Sequence, residues 1–404
     1  MSNKNLKLLV VPMVGGRGIG PICRTLAVAN FAKQFFDIKF FCPKKFAPFV
    51  EKEGYDYVLD VEPTQVFSQG DFIKWNDAAY AMGLCDEFFV KRAFSHQLKI
   101  VKEYNPDVIF TEYNLTICLV AKILNIPIVS TVHWADTSLF AIGNTQIPNK
   151  FNNAITTYNS ILREYGLETY SDISSMVTDI PKLVAPTIEK LQPKLKIFNV
   201  DYVGELLNKK WETDVEVERD LPDNIIYIYL VTSDLTINKW FNVVLREFSD
   251  TNYQIYLVLN NQLEYYIANN KIIVPKNFHI SYFYPSLSVL KKAKLVIHAG
   301  SANIISGSLI NGVPSLLIPL FDGERLYNSI GVEKLGAGEI ITENDFLREG
   351  SLFLRSTKLI NSTHYNKRAS ELGAEIKLLG GVSKVCEILL KLAKKEDGNE
   401  KIKD

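Results

Sequence analysis

An excess of charge of either sign is the first thing this chain lacks: 45 Lys and Arg stand against 45 Asp and Glu, a formal net charge of zero. No long-range field therefore draws it to nucleic acid or to an anionic surface. Cysteine is scarce, limited to Cys23, Cys42, Cys85, Cys118 and Cys386. Their number is odd and no spacing among them fits a metal knuckle. A disulfide framework is excluded, and free thiols in a reducing cytoplasm are expected. No apolar run approaches the ~18 residues of a membrane span. The chain passes from polar residues straight into Leu8-Leu9-Val10-Val11, without the apolar stretch of a secretory leader. Asp-x-Asp pairs of the kind that hold a divalent ion, readable Ser-His-Asp or Cys-His sets, internal repeats and low-complexity segments are also missing.

What is present is material for a large core: 47% of the 404 residues are hydrophobic. At roughly 100–200 residues per domain this length corresponds to two domains. Short apolar runs alternate with amphipathic stretches. Strands are predicted at Leu8–Val11, Ile38–Phe41, Asp107–Phe110 and Ile128–Val132, and helices from Pro21 and over Leu115–Leu124. Residues 134–200 read as mostly helical, with little strand signal. A second series of strands is predicted at Ile225–Val231, Ile255–Leu259, Phe278–Ser281, Leu295–Ile297, Ser315–Ile318 and Glu339–Ile341. This alternation specifies parallel sheets covered by helices. The charge-rich stretch Leu207–Pro222 reads as a linker, and the charged residues near the carboxyl end as a frayed tail.

Phosphate-binding chemistry concentrates around residue 300. There the chain runs through His298, Gly300, Ser301, Ala302 and Asn303, then Gly312-Val313-Pro314, Pro319, Glu324-Arg325 and Asn328-Ser329. The pattern reads as strand, turn, helix, turn, strand, loop. The first N–H groups of a helix lack partners within it and carry partial positive charge, so a helix opening on small residues is a natural phosphate seat. His298 closes the strand, where it can donate to the same anion. Glu324, one strand later, is placed to accept from sugar hydroxyls. Together these features point to a nucleotide sugar.

This segment resembles the donor signature of GT-B nucleotide-sugar glycosyltransferases, the group that includes plant and antibiotic glycosyltransferases. That resemblance implies an α/β fold of two Rossmann-like, doubly wound domains facing a central cleft. The corresponding boundaries are residues 1–206 for an acceptor-binding domain, 207–222 for a linker, 223–385 for a donor-binding domain and 386–404 for a charged tail. It implies an inverting, metal-independent transfer from a UDP- or dTDP-type sugar, used as co-substrate without a further cofactor, to a small-molecule or natural-product acceptor. By the same resemblance Ser233 touches the donor phosphate, Phe283 or Tyr284 stacks on the base, and Glu324 reads the sugar. Arg325 stands where the family carries Gln, and Ser306 where plant members often carry a ribose-binding Glu.

The acceptor half departs from the pattern. The loop after the first strand keeps its glycines, Gly16 and Gly18 among them, which allow close approach of backbone to a ligand. It lacks the family's catalytic His, with Pro21 or Gly18 in that place and Arg24 retained. The third glycine of Gly16-x-Gly18-x-Gly20 is wrongly spaced for a dinucleotide fingerprint. Glu112 and His133 are the candidate replacement bases, with Asp136 available to orient His133; Glu112 reads equally well as a structural carboxylate. Alternatively, the acceptor needs little activation, or the protein is a catalytically silent nucleotide-sugar-binding or helper protein. A sugar-nucleotide epimerase is a third reading on the same fold. The oligomeric state is not legible.

Overall fold

A computed structural model describes residues 6–13, 19–63, 83–132, 149–192, 200–207, 221–230, 235–320 and 323–395. The chain divides into two compact units, each built on its own parallel sheet. The first comprises residues 1–186, 194–208 and 379–404; the second comprises 187–193 and 209–378.

In the first unit the chain order is β1 (Leu6–Val11), α1 (Gly20–Ala32), β2 (Phe36–Cys42), α2 (Ala47–Lys52), β3 (Asp56–Leu59), α3 (Glu87–Tyr104), β4 (Val108–Glu112), α4 (Leu115–Leu124), β5 (Ile128–Thr131), α5 (Asn149–Glu164), α6 (Ile173–Thr178), β6 (Lys182–Ala185) and β7 (Val200–Tyr202). The seven strands are ordered β3-β2-β1-β4-β5-β6-β7. β4 lies in the middle and the order reverses beside it, between β1 and β4. Ligands of such sheets bind at this switch, beyond the strand carboxyl ends. The expected strands appear because both faces of the central ones are buried: all five residues of β4 are inaccessible to solvent. β6 corrects the reading of 134–200 as strand-poor. It is four residues long, and so short an apolar run carries no period of its own.

In the second unit the order is β8 (Ile225–Tyr229), α7 (Ile237–Phe248), β9 (Gln254–Val258), α8 (Asn261–Asn269), β10 (Phe278–Ser281), α9 (Ser286–Leu290), β11 (Ala293–His298), α10 (Ala302–Ile310), β12 (Ser315–Leu317), α11 (Gly323–Lys334), β13 (Gly338–Ile340), α12 (Glu343–Leu347), α13 (Ser351–Asn361) and α14 (Thr363–Leu378). Six strands are ordered β10-β9-β8-β11-β12-β13, and the reversal falls between β8 and β11. Trp240, Phe241, Val244 and Phe248 of α7 bury against Ile226, Ile228, Leu295 and Ile297 of the central strands. α14 clamps α10 from the other side. A Cβ at Gly373 would stand 2.0 Å from the Leu309 carbonyl oxygen, so this contact admits glycine alone.

Two domain boundaries differ from the sequence reading. The residues expected to start a charged tail form α15 (Val382–Lys395), which belongs to the first unit, where it packs on α1 and β4. Its apolar stripe, including Val385, Cys386 and Leu389, is buried there. The stretch Thr187–Pro193, expected in the first domain, belongs to the second unit. No helix among the described residues is long and apolar enough to cross a membrane.

Candidate donor site in the second unit

β11, an interior strand, ends at His298, and the backbone turns there to start α10. His298 is fully buried. Its Nδ1 accepts a hydrogen bond from the Gly300 N–H at 3.1 Å. The ring proton therefore resides on Nε2. Burial, and secondarily the nearby Arg325 cation, push the imidazole down to about 3, so the ring is neutral at ordinary pH. The result is a fixed tautomer whose Nε2–H is a buried donor with no acceptor among the described residues. Such a group costs free energy unless a ligand or water accepts from it.

Gly300 has φ +93°, and a side chain there would stand 2.5 Å from Ser329 Oγ and 2.6 Å from the Arg325 carbonyl oxygen. Only glycine meets both constraints. α11 thus lies directly against the turn. Asn328 Nδ2 reaches the Gly300 carbonyl oxygen at 3.4 Å, and Gln192 Nε2 donates in turn to Asn328 Oδ1. Ser301 is the N-cap of α10, yet its side chain makes no capping bond, and the first turn holds no acidic residue. By contrast, Asn260 caps α8 through Leu263 N at 2.8 Å. Ser301, Ala302 and Asn303 are half-buried, as are Glu324 and Arg325 in the first turn of α11. His298, Gly300, Ser301, Ala302 and Asn303 thus lie along one turn, with the Arg325 backbone against it. Ser306 is buried within α10, so its side chain is not presented at the surface of that helix.

The two aromatic candidates separate. Tyr284 packs into the core, its ring 5.2 Å from Tyr256, which itself stacks on His279 at 4.6 Å. Phe283 is 46% exposed and is the ring available for stacking. Ser233, Gly16, Gly18 and His133 lie outside the described residues.

In the first unit Glu112 ends β4 and is fully buried. Arg24 Nε, from α1, donates to its Oε1 at 2.7 Å, and Nη2 reaches the same oxygen. Glu112 is thus committed to an ion pair, which favours the structural of its two readings. The following residue, Tyr113, holds φ +44°, a conformation that non-glycine residues seldom adopt and that collects at functional sites. Asp60, just beyond β3, was not singled out by any motif. It accepts from Val61 N at 2.7 Å and from Gln97 Nε2 at 3.1 Å, and burial pushes its carboxyl up to about 7. Gln192 was equally silent in sequence, since its partner is 136 positions away.

No family model matches the chain. The uncharacterised UDP-glucosyltransferase YojK of Bacillus subtilis (strain 168) is 25% identical over 213 residues, 52% of this chain; the match spans about half (51%) of that relative's length. The NDP-glycosyltransferase YjiC of the same organism is 23% identical over 357 residues, 84% of this chain and 86% of its own. Among solved structures, the calicheamicin glycosyltransferase CalG4 is similar with a TM-score of 0.74 at 16% identity, covering 96% of this chain and 98% of that one.

Proposed function

We infer that this chain, a glycosyltransferase of the GT-B family, moves a sugar from a nucleoside diphosphate to a small-molecule acceptor through the seat at His298 and α10. The observation that carries this reading is the buried Nε2–H of His298, neutral, oriented by Gly300 and lacking an acceptor among the described residues. A diphosphate oxygen supplies that acceptor. Open N–H groups at the start of α10 add further donors.

In the reaction, an acceptor oxygen attacks the anomeric carbon as the bond from that carbon to the diphosphate breaks. The electron pair departs with the nucleoside diphosphate, and a base takes the acceptor proton. His298 and the α10 amino end hold the departing charge, a preorganised role that deepens as the bond breaks. Phe283 supplies the stacking face for the base, and Glu324 accepts from the sugar hydroxyls. Ser233, Gly16 and Gly18 are retained as donor contacts on their motif positions. The first unit holds the acceptor.

For the base we favour His133 over Glu112, because Glu112 is already engaged by Arg24. The β4–β5 register sets Glu112 beside Thr131, and position 133 follows two residues later. Uridine or thymidine is the nucleoside this reading expects, a natural-product aglycone the acceptor, and the cytoplasm the location. The described cysteines are all free, which supports a reducing compartment.

A thermal-shift screen against nucleoside diphosphates and their sugars tests this. UDP or dTDP should raise the melting temperature, and His298→Ala should remove that rise. A rise that survives the substitution would displace the diphosphate from His298. Transfer to a hydroxylated aromatic panel, followed by mass spectrometry, should fall at least about 10²-fold in His133→Ala with nucleotide binding unchanged.

A further inference from the structure

α11 meets the Gly300 turn along one side. Arg325, Asn328 and Ser329 stand three and four positions apart, so a single face of the helix carries all three. The Arg325 carbonyl oxygen and Ser329 Oγ lie 2.6 and 2.5 Å from where a Gly300 side chain would begin. Asn328 Nδ2 reaches the Gly300 carbonyl oxygen at 3.4 Å.

The Ser329 hydroxyl is at the turn but is not used to hold it. Ser329 is fully buried, and its Oγ has no hydrogen-bond partner among the described residues. A helical serine ordinarily donates to a carbonyl three or four positions back. Ser308 of α10 does so to Ile305 at 2.8 Å, and Ser370 of α14 to Asn366 at 2.9 Å. In Ser329 that bond, to the Arg325 carbonyl, is not made. A stranded buried hydroxyl is less favourable than the methyl of an alanine in the same place. Packing against Gly300 therefore does not call for serine.

His298 Nε2 is stranded in the same way, and its ring is tied to Gly300 through Nδ1. Two buried groups with a proton to donate thus adjoin one glycine turn at the opening of α10, from two different elements. We propose that Ser329 Oγ–H is a second side-chain donor to the donor diphosphate, beside His298 Nε2–H. This rests on the donor-site reading above and gives α11 a direct part in phosphate binding. Phosphate oxygens accept several hydrogen bonds at once, and those made to an anion are the strong ones. The hydroxyl is kept at a cost in the nucleotide-free protein, and the bound phosphate satisfies it.

One variant should therefore show two opposite effects. Ser329→Ala should leave the melting temperature of the free protein equal to or above that of wild type, while weakening UDP and dTDP about tenfold, roughly what loss of a hydrogen bond to a charged group yields. Calorimetric titration measures the nucleotides, and ligand-observed NMR should find uridine binding unchanged. Ser329→Cys keeps a side chain of similar shape with a weak donor, and should bind UDP as poorly as Ser329→Ala. Equal UDP affinity in wild type and Ser329→Ala overturns the proposal. So does a loss shared equally by uridine, a loss accompanied by a lower melting temperature, or full affinity in Ser329→Cys, each of which makes the residue a packing element. If wild type binds neither UDP nor dTDP, the donor-site reading itself falls, and this inference with it.

Discussion

Gln192 donates from Nε2 to Oδ1 of Asn328, and both side chains are buried. Asn328 in turn reaches the carbonyl of Gly300. A residue from the short stretch between β6 and β7 is therefore wired to the proposed phosphate turn. Gln192→Ala leaves Asn328 without this donor in a buried place. We expect a stability loss of about 1–3 kcal/mol and weaker nucleoside diphosphate binding. Urea unfolding and calorimetry measure the two effects. Unaltered UDP affinity in a folded Gln192→Ala protein would show that the contact is structural alone.

Gly300→Ala should cost about 2 kcal/mol or more, because it combines a left-handed backbone with a forced contact. The added methyl stands closer to Ser329 Oγ and the Arg325 carbonyl than any real pair tolerates. α11 must move away, taking Arg325 with it. Denaturant unfolding and UDP titration of the same preparation should both report damage. A Gly300→Ala protein with the parent's stability would show that α11 does not lie where the structure has it.

Glu112 and Arg24 should behave as a coupled pair. Glu112→Gln leaves a buried guanidinium without its counter-charge, and we expect a loss of about 3–5 kcal/mol. The double replacement Arg24→Met with Glu112→Leu should restore much of that stability, since it removes both charges together. A Glu112→Gln protein that keeps its stability but loses transfer activity would return Glu112 to the role of base.

Two buried groups should bend the stability–pH curve in opposite directions. Asp60 binds its proton more tightly folded than unfolded, so its contribution is present at low pH and is lost as pH rises from about 4 to about 7. Asp60→Asn should therefore gain on wild type as pH rises from 5 toward 7, by up to about 1.4 kcal/mol per pH unit crossed, and the gain should level off above that. His298 binds its proton more weakly folded, so its contribution is lost as pH falls from about 6.5 toward 3. His298→Gln should gain on wild type toward acid. Guanidinium unfolding at pH 5, 6.5 and 8 checks both signs; a flat difference for either variant refutes its assignment.

The strand end, turn and helix opening of the proposed donor seat were legible because they are local. A strand end, a glycine turn and a helix opening are consecutive in the chain, and the residue types that build them must stand in that order. His298, Gly300, Ser301, Ala302 and Asn303 could thus be placed from sequence. So could most strands of both sheets, since a strand buried on both faces must be apolar throughout. β3, β6 and β7 escaped. β3 and β7 are short strands at the two edges of their sheet, and β6 is a four-residue run.

What the residues alone determined is therefore the parallel architecture and the order of groups around residue 300, because both follow from patterns a few positions long. Only the tertiary structure decided that Arg24 occupies Glu112, that Gln192 steadies Asn328, and that α15 returns to the first unit. It also decided that His298 stays uncharged. Each of these depends on what distant parts of the chain exclude water from, and burial by partners scores of residues away leaves no period or motif to read.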